Sequence, residues 1–265
     1  YREFSGGNQD PSAIRNFLVS ALNVWNLGPE YIVLFGNGHY DYKGYTATEV
    51  NYISTYQSEV NCWEDFYTYL EPEEVASEKN STPDIFLGRL PIESVSEAQV
   101  MVDKIIDFEG AESDYGAWRN RALLVADDDM QRGERDPISS SSPHHVSSDM
   151  IEREIIAKDS SVDIRKVYLF EYEWNVLYEK PEASRALINE INNGVAFVNF
   201  FGHGSDHVWA DEHILLNETV GSLYNEKRYP VITSFSCSVG RFDKPGHESL
   251  SGTLVRAMNA GAIAT

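Results

Sequence analysis

The stretches Val195-Ala196-Phe197-Val198-Asn199-Phe200-Phe201-Gly202-His203-Gly204-Ser205 and Pro230-Val231-Ile232-Thr233-Ser234-Phe235-Ser236-Cys237 decide how this chain reads. Each is an apolar run of strand length that stops abruptly at a reactive side chain. The first delivers a histidine between two glycines, the second a cysteine after small polar residues. Such runs fit strands buried on both faces of a parallel sheet. In open parallel sheets, ligands bind beyond the carboxyl ends of the strands. A histidine and a cysteine at one sheet edge make a nucleophile and its proton partner.

Outward from these runs, helices and apolar strands alternate, which predicts a mostly parallel sheet covered on both faces. Asp10-Pro11 opens a first helix as cap and first residue, and Ile14, Phe17, Leu18, Ala21 and Trp25 form its apolar stripe up to Gly28. Strands are expected over 31–35 and 84–88. Ser94 and Glu97 form a capping box for a helix burying Ala98, Met101, Ile105 and Phe108. The polar segment 109–119 is the best internal boundary and predicts two α/β subdomains, 1–118 and 119–265. Past it come a strand over 121–126, the acids Asp127-Asp128-Asp129, a loop rich in Ser and Pro, and a helix over 148–158. A strand portion over 167–170 and a helix over 182–193 that stops at Gly194 follow. The histidine strand, a long polar loop, the cysteine strand and a helix over 247–259 complete the pattern.

The 265 residues suit one large α/β domain or two fused subdomains. Hydrophobic residues at 42% and aromatics at 12% exclude a disordered chain. The net charge of −21 repels nucleic acid and anionic lipid; a solubilising surface is its plainest reading. No run approaches the ~20 apolar residues of a membrane span. Tyr1 is not an initiator methionine, and Gly261-Ala262-Ile263-Ala264-Thr265 opens like a strand, so both ends read as cut. Two cysteines, Cys62 and Cys237, are too few for a disulfide scaffold.

The glycines around His203 free the backbone to turn sharply, and the N–H groups of Gly204 and Cys237 are candidates for an oxyanion hole. Arg241, close in sequence, would lower the thiol pKa. The bland readings weigh against this. A cysteine after an apolar strand is usually a small buried hydrophobe, and glycine turns are common; the two together at strand ends favour chemistry. His203, His207 and His213 with Asp206 and Asp211 form an alternative zinc-type donor set. The spacing from His203 to His207 begins in a glycine turn, so no helix puts the two on one face. Carboxylates at 127–129 and 206–212 suit a structural Ca²⁺ better. His39 reads as a surface-loop residue, His144 and His145 as members of a polar loop with a lid or substrate contact as the alternative. Asn61-Cys62-Trp63-Glu64-Asp65-Phe66-Tyr67-Thr68-Tyr69 packs over the sheet or lines a recognition surface, and Cys62 has no visible base partner.

Asn199-Phe200-Phe201-Gly202-His203-Gly204-Ser205, followed by Trp209, resembles the catalytic-histidine segment of gingipain-like cysteine peptidases, and Thr233-Ser234-Phe235-Ser236-Cys237 resembles their nucleophile segment. Other stretches are similar to the signal-removing sortase branch of the type IX secretion system (PorU-like): Leu34-Phe35-Gly36-Asn37-Gly38-His39-Tyr40-Asp41-Tyr42-Lys43-Gly44, Asp84-Ile85-Phe86-Leu87-Gly88-Arg89-Leu90-Pro91, Val125-Ala126-Asp127-Asp128-Asp129 and Trp209-Ala210-Asp211-Glu212. The resemblance implies a caspase-like three-layer α/β/α sandwich in two subdomains, here cut at both ends. It implies a Cys237–His203 dyad, with Asp129 or Asp128 in the place of the acid that orients the histidine, and Trp209 and His145 at the substrate. No cofactor is then required for the chemistry. The implied substrates are exported proteins with C-terminal signal domains, at the bacterial surface or in the periplasm beside an outer-membrane secretion complex. A catalytically silent scaffold of the same fold and a metal-dependent hydrolase built on His203, His207 and His213 are the alternatives.

Overall fold

A computed structural model describes residues 1–58, 61–71, 82–110, 115–128, 130 and 143–265. They form two units, Tyr1–Val95 with Phe242–His247, and Ser96–Arg241 with Glu248–Thr265. In the first, Asp10 accepts the Ser12 N–H at 2.8 Å and Pro11 starts helix α1 (Pro11–Val24). Ala13, Leu18 and Ala21 are buried, whereas Phe17 and Trp25 of the expected stripe are exposed and meet each other edge-on at 6.0 Å. Strands β1 (Tyr31–Phe35), β2 (Gln57–Ser58), β3 (Asn61–Cys62) and β4 (Phe86–Leu90) follow; β1 pairs with β4 in parallel and β2 with β3 in antiparallel.

The aromatic stretch is core here. Phe66 and Tyr67 pack with Leu18, Leu34, Leu70 and Ile85, Phe66 stacks on Tyr56 at 3.9 Å, and the Tyr67 hydroxyl donates to the Ser54 carbonyl. His39 is buried, not on a surface loop, with Nε2 3.2 Å from the Glu49 carbonyl. Cys62 donates its thiol to Thr55 Oγ1 at 3.0 Å, and burial pushes its pKa up to about 12. Both cysteines are free thiols.

The division at Val95 and Ser96 precedes the expected 118/119 boundary because α2 (Val95–Glu109) is anchored in the second unit. Buried Lys104 donates to the carbonyls of Val255 (3.0 Å) and Ala260 (2.8 Å), and Glu97 meets Arg256 at 3.7 Å. The sequence pattern gave no sign that this lysine belongs on the buried face.

The second unit continues with β5 (Arg121–Ala126), α3 (Pro143–Lys158), β6 (Asp163–Tyr168), α4 (Pro181–Asn193), β7 (Phe197–Phe201), β8 (Gly204–Ser205), β9 (Val208–Trp209), β10 (Leu215–Leu216), α5 (Asn217–Val220), β11 (Val231–Phe235) and α6 (Leu250–Arg256). Its central sheet has the order β11-β7-β5-β6 and is wholly parallel. Because successive side chains in a strand point to opposite faces, Leu123 and Val125 bury against α4 and α6 through Leu187, Ile191 and Leu254, while Leu124 and Ala126 share the cluster of α3 with Ile151. Helices thus cover both faces in three layers. Burying each large aliphatic side chain contributes about 1.5–3 kcal/mol. The polar loop expected after His203 contains a small antiparallel sheet, β10-β9-β8. Among the described residues, no helix is long and apolar enough to cross a membrane.

Candidate active site

In the parallel pair of β7 and β11, Phe201 stands opposite Phe235. His203 and Cys237 each lie two residues beyond that pair. The ladder therefore delivers both past the same carboxyl edge, and both side chains are exposed. The strand ends are tied together immediately before them: the Phe201 and Phe235 rings stack at 4.8 Å, and the Gly202 N–H donates to the Phe235 carbonyl at 3.3 Å.

The two glycines serve close approach rather than an unusual turn. A Cβ on Gly202 would come within 2.5 Å of Asp127 Cβ and 2.6 Å of Phe200 Cζ, and one on Gly204 within 2.3 Å of Ser236 Oγ. Only the bare backbone lets the histidine loop lie against β5 on one side and the cysteine loop on the other. Ser238, next after Cys237, has φ 57°, a left-handed conformation that costs a non-glycine residue about 1–3 kcal/mol. Such strain concentrates at working sites.

Among the described residues, the acid beside His203 is Asp127. Its own N–H donates to the Phe201 carbonyl (2.9 Å), extending the β5–β7 ladder by one rung. One carboxylate oxygen accepts the His203 N–H (2.8 Å) and the other the Asp128 N–H (2.7 Å). Burial pushes the Asp127 carboxyl pKa up, and the two backbone bonds oppose that. A carboxylate oxygen of Asp127, a ring nitrogen of His144 and a ring nitrogen of His203 lie within 4.8 Å of one another. The rings of His144 and His203 meet edge-on at 5.5 Å.

Asp128, expected beside the histidine, turns the other way into a fully buried ion pair with Lys180, whose Nζ also donates to the Leu169 carbonyl at 2.9 Å. Asp129 lies outside the described residues. Glu212 closes the buried group: carboxylate oxygens of Asp127, Asp128 and Glu212 fall within 4.8 Å. Of the carboxylates that the sequence offers for Ca²⁺ at 127–129 and 206–212, Asp127, Asp128 and Glu212 come together, beside Lys180. Burial first, then repulsion from Asp127 and Asp128, pushes the Glu212 pKa up to about 8.

Other sequence candidates fall elsewhere. Trp209 is buried and stacks on Phe200 at 4.5 Å, so it is core and not a substrate contact. The first turn of α3 holds both His144 and His145, because the helix starts at Pro143 and not at 148. His145 packs edge-on against Phe170 at 5.3 Å, so it is His144 that reaches His203. The set His203, His207 and His213 does not assemble: His207 bonds Asp206 at 2.8 Å and His213 bonds Glu179 at 3.3 Å. Sequence reasoning missed Lys180, read His144 as a loop residue with a lid or substrate contact as the alternative, placed Glu212 only among loop carboxylates, and named Asp128 or Asp129 rather than Asp127 as the acid. Only strand register could have found Asp127, as the first residue past β5, level with Gly202.

Comparison with known proteins agrees with this architecture. Over 159 residues the chain is 23% identical to Gingipain R2 of Porphyromonas gingivalis, covering 60% of this chain and 19% of that protein. It is 24% identical to Lys-gingipain HG66 of the same organism over 183 residues, covering 69% of this chain and 9% of that protein. The crystal structure of the Arg specific cysteine proteinase gingipain R superposes with a TM-score of 0.71 at 20% identity, covering 95% of this chain and 51% of that one. The complex of Porphyromonas gingivalis RgpB pro- and mature domains gives 0.71 at 20% identity, over 99% of this chain and 54% of that one. The chain thus spans about half of these solved chains and about a fifth or less of the curated relatives. The fold is caspase-like. The family model described as "Peptidase family C25" matches residues 1–265, and the chain belongs to that family.

Proposed function

We propose that the protein is a cysteine endopeptidase in which Cys237 is the nucleophile and His203 carries the proton. The observation that carries this reading is the parallel register of β7 and β11, which sets the two residues at equivalent positions past one sheet edge. His203 takes the Cys237 thiol proton as the sulfur attacks the scissile carbonyl, and gives it to the departing amine. The developing oxyanion is met by the N–H groups of Gly204 and Cys237. A thioester remains. Water releases the acid, and an incoming amine would instead give transpeptidation.

Asp127 holds the His203 backbone and lies beside its ring, where a carboxylate stabilises the imidazolium that forms. The Lys180–Asp128 pair fixes the chain next to Asp127. For the substrate, the sequence similarities favour removal of C-terminal secretion signals from exported proteins at the cell surface. The test is cleavage of fluorescein-labelled casein, and of a carrier with and without a C-terminal secretion-signal domain. Cys237→Ala should lower the rate at least ~10³-fold and His203→Ala ~10²–10⁴-fold. The signal-bearing carrier should be cut in preference to casein. Full activity in Cys237→Ala would refute the nucleophile, and indifference to the signal domain would refute the processing role alone.

A further inference from the structure

We propose that Asp127, His144 and His203 form a binding site for a transition-metal dication of the Zn²⁺ type, and that its occupation switches the dyad off. The binding stands on geometry alone; the switching rests on the Cys237–His203 reading.

Three separate elements supply the donors: the end of β5, the first turn of α3 and the carboxyl edge of β7. Their donor atoms already lie within 4.8 Å of one another. Zinc bonds of about 2.0–2.2 Å to imidazole and carboxylate place tetrahedral donors ~3.4 Å apart. Rotation of the two histidine rings, which meet edge-on at 5.5 Å, covers that difference. Two imidazoles and one carboxylate match the three-ligand zinc sites that keep a fourth position open, whereas Ca²⁺ and Mg²⁺ want oxygen donors.

The supporting groups are also in place. Both Asp127 oxygens are oriented by backbone N–H groups, of His203 and Asp128, as ligating carboxylates usually are. Asp127 shares its surroundings with the buried acids Asp128 and Glu212. Lys180 pairs with Asp128, so the Asp127 carboxylate is the charge left for a dication to offset. Entry is open, since His203 is exposed and His144 half-buried. A His203 ring coordinated to a metal cannot become an imidazolium, so it can neither accept the thiol proton nor protonate the leaving amine.

The test is calorimetric titration of the chelator-treated, dialysed protein with ZnCl₂ and with CaCl₂. The expected result is one Zn²⁺ per chain, unaffected by Ca²⁺, with affinity at least ~10-fold weaker in His144→Ala and in the more conservative His144→Gln. Cys237→Ala and the double variant His207→Ala, His213→Ala should bind as the wild type does. Unchanged affinity in both His144 variants overturns the site, as does loss of binding in Cys237→Ala or in the double variant. In the casein assay, inhibition by Zn²⁺ should require at least ~10-fold more metal for His144→Ala than for the wild type. Binding that fails in the His144 variants beside a protein that cleaves nothing would keep the metal site and discard the peptidase reading. Binding that leaves the rate untouched would discard the switch.

Discussion

Burial separates the two cysteines chemically. Cys62, shielded and bonded to Thr55, has its thiol pKa raised to about 12, so only roughly one molecule in 10⁴–10⁵ is thiolate at neutral pH. Cys237 is exposed at a strand end. Iodoacetamide at pH ~7.5 should therefore modify Cys237 at least ~10-fold faster than Cys62. Peptide mapping over time reads this directly, and equal rates would contradict the assignment. The buried pair beside the site gives a second test at this scale. Lys180→Met strands Asp128 without its cation in the interior, where removing one partner of a buried pair costs about 3–5 kcal/mol. Urea unfolding of that variant should show a loss in this range, and a loss under ~1 kcal/mol would mean that the pair contributes little.

The approach of the β8–β9 hairpin to the cysteine loop depends on one missing Cβ. Gly204→Ala would drive a methyl group against Ser236 Oγ and the Val208 carbonyl. Either the Ser236 hydroxyl turns away or the hairpin shifts; a hairpin shift costs about 1–3 kcal/mol, and a displacement near 1 Å lowers turnover ~10²-fold. Adding Ser236→Ala should recover part of both losses; equal defects in the single and double variants would locate the clash elsewhere. The same elements show what the sequence discloses. The limits of β1 and β5 were legible to the residue, because apolar runs fill them, 31–35 between Glu30 and Gly36 and 122–126 between Arg121 and Asp127. The strands β8, β9 and β10, of two residues each, are too short to show any period, so the stretch read as loop. The start of α3 was hidden because Pro143, His144 and His145 resemble turn chemistry. Three consecutive aspartates look alike in sequence, and only the β5–β7 register shows that the first faces the histidine loop. Lys180, Glu212 and Lys104 carry no outward sign of burial, since a charged residue reads as surface until its partner is seen.

For the molecule as a whole, Glu212 links stability to pH. Its pKa is raised in the folded state from 4.5 to about 8, so between these values the folded chain binds a proton that the unfolded chain has released. The stability this residue contributes is complete below about pH 4.5 and is lost as the pH rises through about 8. Glu212→Gln, which mimics the protonated acid, should flatten the fall in melting temperature between about pH 5 and 8. A variant profile parallel to the wild type would show that Glu212 does not titrate in this way. The fold, the family and the paired strand ends support the proposed Cys237–His203 centre. The most direct test is covalent labelling by peptidyl acyloxymethyl ketones with basic, acidic, small and apolar residues at the cleavage position, read by intact mass and peptide mapping in the wild type and in His203→Ala. A single adduct on Cys237, formed at least ~10²-fold more slowly without His203, is the predicted result. Adducts on Cys62, or equal rates in the two proteins, would contradict the dyad.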